Sequence, residues 1–153
     1  MSRKAIIDTN ILLDAAMSER PDWEFATMLL DEVAYGNLEG FIAATSLKDA
    51  YFVLSKYAGE QAARSFADAA IDAFELVAVD SSICRIAARS NEPDFEDGII
   101  RACAEREQVD FIISRDEKAF LKSPIKRLSA RDYVALFCEY EEIELGGQLD
   151  SQG

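Results

Sequence analysis

Two apolar runs that end on an acid constrain this chain more than any other feature. Ala5-Ile6-Ile7 stops at Asp8, and Phe111-Ile112-Ile113 gives way to Ser114-Arg115-Asp116. Neither run alternates apolar with polar residues, so neither suits a strand with one wet face. Such runs suit strands covered on both faces, as in a parallel sheet. Strand candidates are residues 4–7, 41–44, 74–79, 111–113 and 125–128. The intervals read as helices. One spans residues 11–16. A second is entered at Pro21, carries Ala26, Leu29, Leu30 and Val33 at helical spacing, and stops at Gly36. The others are 47–57, 60–73, 83–89, 95–108 and 130–139. This alternation predicts one α/β domain, with a central parallel sheet of about five strands, helices on both faces and right-handed crossovers. Residues 1–138 are expected to form it. Residues 139–153 hold Glu139, Glu141, Glu142, Glu144 and Asp150 with no Lys or Arg, and read as an acidic, flexible tail.

Composition removes several kinds of chemistry. Histidine is absent from the 153 residues, which excludes Ser-His-Asp and Cys-His mechanisms and His-ligated zinc. Cys84, Cys103 and Cys138 are far apart and sit in helical apolar patterns; they read as free thiols. No apolar run reaches the roughly 18 residues of a membrane helix, and only two isoleucines separate Lys4 and Ala5 from Asp8, too few for a signal peptide core. A cytoplasmic protein is expected. The net charge of −13 argues against non-specific nucleic-acid binding, which needs a basic face.

The acids carry the functional signal. In open α/β sheets ligands bind at the carboxyl ends of the strands, where Asp8 and Asp116 are expected. Asp8, followed by Thr9 and Asn10, could merely cap the next helix. Asp49 follows Ser46 by three residues, a capping-box spacing, yet it also lies one turn into a helix starting at the same edge. Asp94 and Asp97 repeat that spacing at the head of residues 95–108. As ligands Asp97 ranks first, Asp94 second, and Glu96, expected to face solvent, third. Asp116 could instead open a helix at Lys118. Ser129 and Asp132 share the cap spacing with nothing else to mark a site, so the spacing alone says little. Four acids at the ends of successive units say more. Crowded carboxylates repel one another unless a cation intervenes, and hard oxygen ligands select Mg²⁺ or Mn²⁺.

Ile6-Ile7-Asp8-Thr9-Asn10-Ile11-Leu12 resembles the first motif of PIN-domain ribonucleases, which include VapC-type toxins of bacterial toxin–antitoxin pairs. Asp94-Phe95-Glu96-Asp97-Gly98-Ile99-Ile100-Arg101-Ala102-Cys103-Ala104 resembles the third, and residues 111–116 with Phe120 the fourth. The resemblance implies a metal-dependent endoribonuclease leaving a 5′-phosphate. It makes Asp8, Asp97 and Asp116, with Asp49, the catalytic and Mg²⁺- or Mn²⁺-binding acids. It places Asn10, Thr9, Ser114 and Asp94 around them as polar support. Its expected partners are RNA, a small antitoxin and a second copy of the chain, with no membrane. Asp49 stands where Glu is usual and Gly98 where Ala is usual, which weakens that helix start. Arg115 and Lys118, with Lys122, Lys126 and Arg127 nearby, could form an RNA-binding rim or ordinary solvated surface. Trp23, Phe25, Tyr51, Phe52 and Tyr57 could serve partner surfaces or pack inside. A catalytically silent PIN-like binding module is the alternative. A haloacid-dehalogenase-type phosphatase is a remote one, because that chemistry wants a second Asp where this chain has Asn10.

Overall fold

The computed structural model describes residues 2–138; the expected tail and the end of the last predicted helix, Glu139, lie outside them. The elements run β1 (Arg3–Ile7), α1 (Thr9–Ala16), α2 (Trp23–Ala34), β2 (Leu38–Ala43), α3 (Ala44–Ala58), α4 (Glu60–Ala73), β3 (Glu75–Val77), α5 (Ser81–Ala88), α6 (Phe95–Glu107), β4 (Phe111–Ile113), β5 (Lys126–Leu128) and α7 (Ala130–Phe137). The five strands form one parallel sheet in the order β3-β2-β1-β4-β5. This is the doubly wound α/β arrangement expected from the sequence.

The lack of alternation in β1 has the expected cause. Successive side chains point to opposite faces, and both faces are covered. Ala5 and Ile7 join a core with Leu38, Ile42 and Ile113 and residues of α1, α2, α3, α4 and α7. Ile6 joins the other, with Phe41, Ala43, Val77 and Ile112 and residues of α5 and α6. No helix among the described residues is long and apolar enough to cross a membrane.

Strand order reverses at β1, which pairs with β2 on one side and β4 on the other. Such a reversal opens a crevice at the carboxyl edge. Ile7 lies opposite Ile113, so Asp8 leaves the sheet beside Ser114. α3, following β2, starts at this edge. α6, which precedes β4 and packs on β1, β2 and β4, also has its first turn there.

Two local expectations need correction. Residue 44 is not strand: α3 begins at Ala44, straight out of β2, with Ala43 in the N-cap position. Ser46 is therefore a buried residue of the first turn rather than a cap for Asp49. No helix follows Asp116; turns occupy the stretch to β5. Phe120 there adopts φ 66°, a left-handed conformation, with its amide held by Glu92 Oε1 at 2.6 Å and its ring in the core.

Candidate active site

Asp8 occupies the N-cap position of α1, but its carboxylate caps nothing in that helix. The backbone does the joining: Asp8 N–H donates to Ile113 O at 3.0 Å, and Asp8 O accepts from Ile11 N–H at 3.0 Å. The carboxylate is buried and accepts from Ser114 Oγ at 2.7 Å. Ser114, fully buried, is pinned in turn. Its N–H donates to Leu128 O at 2.9 Å, and its carbonyl accepts from Arg127 Nη1 at 2.6 Å. Its Oγ also accepts from Asp116 N–H at 3.1 Å. One hydroxyl thus fixes the end of β1 to the loop after β4 and places Asp8 and Asp116 on either side of itself. Asp116 Oδ1 accepts from Lys118 N–H at 2.9 Å, which tightens the turn.

At the head of α6, Asp94 is the N-cap and accepts from Asp97 N–H at 2.8 Å. Asp97 is buried, and its Oδ2 has no hydrogen-bond partner. Burial, then the charges of Asp94, Asp8 and Asp116, push its carboxyl up to about 7. Burial also raises Asp8, against the lowering effect of the Ser114 hydrogen bond. The four acids Asp8, Asp94, Asp97 and Asp116 therefore share one electrostatic neighbourhood. As they lie, no three Asp, Glu or Cys side chains among the described residues form a group that could hold a metal ion.

The remaining expected residues fall into place unevenly. Asn10 is exposed; Thr9 is half-buried with an unpartnered Oγ1. Asp49 sits on α3 with its carboxylate 2.9 Å from Lys48 Nζ. Glu96 does not face solvent as expected. It is half-buried, and Ser46 Oγ donates to its Oε1 at 3.4 Å. Burial and then the charges of Asp49 and Asp8 raise its carboxyl. Arg115 is exposed, but its Nη1 reaches Asp14 Oδ1 at 3.1 Å. Asp14, fully buried, also pairs with Arg20 at 3.2 Å. The sequence marks Ser46 only as a cap for Asp49, and it does not mark Asp14 at all. An acid behind Leu12-Leu13 and a serine in a small-residue stretch carry no local signal of burial.

Gly98 has a packing role. A Cβ there would lie 2.8 Å from Ala87 O and 2.9 Å from Ala87 Cα, so its absence lets α5 press against α6 one residue past the acids. Asp132 is structural, as expected: Ser129 and Asp132 form a complete capping box on α7. Among the aromatic candidates Phe25 is buried, Tyr51 half-buried, and Trp23, Phe52 and Tyr57 exposed.

Comparisons with known proteins bear on the fold and the family. VapC20 of Mycobacterium tuberculosis, described as a toxin that cleaves the sarcin–ricin loop, is similar with a TM-score of 0.60 and 16% identity over 74% of this chain and 90% of its own. A toxin–antitoxin complex from Klebsiella pneumoniae gives 0.63 and 24%, over 82% and 97%. VapBC2 of Rickettsia felis, bound to a DNA fragment from its promoter, gives 0.58 and 16%, over 82% and 98%. These likenesses establish the fold. No curated protein matches the sequence. The model of the PIN domain matches residues 4–118, from the start of β1 through the loop bearing Asp116; the chain belongs to the PIN domain family.

Proposed function

We propose that this protein is a metal-dependent endoribonuclease and the toxin of a toxin–antitoxin pair. The observation that carries the reading is Asp97: a buried carboxylate oxygen without a partner, among three other carboxylates at the reversal point of the sheet. Leaving such an atom unpaired is costly, and like charges around it add to the cost. A divalent cation would relieve both, and an all-oxygen donor set suits Mg²⁺ or Mn²⁺. The donor chemistry therefore suits the ion, although the side chains as they lie do not close around it. Asp8, Asp97 and Asp116 would hold it, with Asp49 the fourth acid by motif order. Bound there, a divalent ion would supply activation of water and neutralisation of phosphodiester charge.

The chain's own groups prepare that site. Ser114 orients Asp8 and draws the Asp116 backbone towards it. Asp94 fixes the first turn of α6 and so the height of Asp97. Thr9 and Asn10 follow Asp8 directly, in the first turn of α1. Arg115 and Lys118 would meet the phosphates of an RNA strand, and their small number beside a net charge of −13 favours a narrow substrate. The likeness to a toxin–antitoxin complex and to VapBC2 on promoter DNA supports a small antitoxin partner, and exposed Phe52 and Tyr57 on α3 suit such a contact or one between two copies. The cytoplasm is the compartment this reading requires.

A silent binding module has one observation in its favour: the Asp49 carboxylate is engaged by Lys48. Incubation of purified protein with a pool of structured RNAs separates the two. Metal-dependent cuts in Mn²⁺ or Mg²⁺ that vanish with EDTA and in Asp8→Asn are expected. Absence of cuts together with absence of Mn²⁺ binding would overturn the nuclease reading.

A further inference from the structure

Asp14 is a fully buried acid that the crevice does not use. Two arginines hold it, Arg20 at 3.2 Å and Arg115 at 3.1 Å. Arg20 is a local partner from the turn after α1. Arg115 arrives from the loop after β4, beside Asp116. A buried carboxylate needs such partners, and here the pairing also fixes a guanidinium whose side chain is still 40% exposed. Only Nη1 of Arg115 is engaged; its other nitrogens have no partner among the described residues.

Arg115 lines a cavity of about 280 Å³ together with Arg127 and Arg131. Each of the three guanidiniums has one anchor. Arg127 Nη1 donates to Ser114 O at 2.6 Å, and Arg131 lies over the Phe25 ring, 4.4 Å from its centroid. Asp22, Glu117 and Asp132 also line the cavity. Among the described residues none of these acids pairs with the three arginines, and Asp132 is committed to the α7 capping box. The remaining guanidinium donors are therefore free for a ligand. The start of α7, Ser129 and Ala130, forms a further wall, and a helix start favours an anion. Ser114 joins this cavity to the crevice: its hydroxyl donates to Asp8 and its carbonyl accepts from Arg127.

We propose that Arg115, Arg127 and Arg131 form a phosphate subsite that takes a backbone phosphate of an RNA strand beside the crevice. The inference rests on the reading of RNA as the substrate, and it adds where the strand is gripped. Guanidinium forks match phosphate oxygens bidentately. Anchoring them beforehand reduces the freedom lost on binding. Phosphate contacts fix the register of a strand, so the cavity sets which bond meets the acids.

Fluorescence anisotropy of a labelled single-stranded RNA, at low salt and in EDTA, measures binding apart from cleavage. Arg131→Gln is expected to weaken binding about tenfold. It should also make the dependence of log K on log salt shallower by about 0.7, the share of one phosphate contact. Arg131→Lys, which keeps the charge and loses the fork, should keep the slope and lose less affinity. Arg64→Gln removes the same charge from an exposed ion pair on α4 and should leave the affinity within about twofold. Thermal unfolding confirms that each variant is folded. Equal losses from Arg131→Gln and Arg64→Gln would reduce the effect to net charge and overturn the subsite, as would absence of RNA binding by the unaltered protein. Inorganic phosphate, titrated alone by calorimetry, separates a strand from a free anion: phosphate binding lost in Arg131→Gln with RNA binding unchanged would overturn the assignment to RNA. Cleavage in Mn²⁺ with an unchanged KM in Arg131→Gln would overturn the subsite and leave the nuclease standing. RNA bound through Arg131 but never cut would overturn the nuclease and leave the subsite standing.

Discussion

Replacing Asp97 by Asn should stabilise the metal-free protein, and the gain should grow with pH. The Asp97 carboxyl is raised from 3.8 to about 7, first by burial and then by Asp94, Asp8 and Asp116. At about 1.36 kcal/mol per unit, holding it ionised in the folded state costs about 4 kcal/mol. Asparagine keeps the shape without the charge, but its amide still needs hydrogen-bond partners, so a gain of about 2 kcal/mol is the reasonable expectation. For a chain of this size that is about 4–8 °C in Tm. The sign follows from linkage. A carboxyl raised by folding leaves stability intact below its unfolded value of 3.8 and erodes it as the pH rises through 7. The variant lacks this erosion. Thermal unfolding of both proteins in EDTA, from pH 4 to pH 8, should show Tm values that nearly coincide at the acid end and separate at the basic end. Mn²⁺ should then reverse the order at pH 8, by binding the unaltered protein. A Tm difference that is constant across the range, or that shrinks with pH, would refute the account of Asp97 as a buried carboxylate awaiting a cation.

Asp8→Asn should abolish RNA cleavage and leave the fold intact, because it removes charge at nearly constant volume, whereas Asp132→Asn should leave cleavage unchanged and cost about 1 kcal/mol through the α7 capping box; equal losses of cleavage from both would undo the site assignment. Gly98→Ala should destabilise the protein although alanine is the better helix former: the clash with the Ala87 backbone costs about 1–3 kcal/mol against a propensity gain of about 1, and urea unfolding would detect a contrary stabilisation. Glu92→Ala removes the partner of the Phe120 amide and of Arg101, whose Nη1 lies 3.0 Å from Glu92 Oε2. It should cost about 2–3 kcal/mol in urea unfolding, since Glu92 ties the loop after β4 to α6.

The limits of reading the chain are clearest at Ser46 and Asp49. Their three-residue spacing is the same as that of Asp94 and Asp97 and of Ser129 and Asp132, and in those two cases it does mark a helix cap. At Ser46 the helix starts earlier, at Ala44, since nothing in Ala43-Ala44-Thr45 hinders it. The cap-like spacing therefore falls inside the helix, and the serine turns to Glu96. Glu96 is expected to face solvent from its place between Asp94 and Asp97. α3 supplies the second wall that makes a half-buried place for it. Asp14 shows the same limit: its burial depends on Arg20 and Arg115 arriving from elsewhere in the chain.

The sequence by itself determined the α/β class, the strands β1 and β4 and the acids at their tips, because these rest on local chemistry: apolar continuity, the end of a run, and residues that turn or cap. Only the tertiary structure decided that Ser114 ties Asp8 to Asp116, that Asp97 is left with an unpartnered oxygen, and that α3 meets the crevice through Ser46 and Glu96. Those facts depend on strand order and helix packing, which bring together residues up to 106 positions apart. No local spacing encodes the burial and charge that such a meeting imposes.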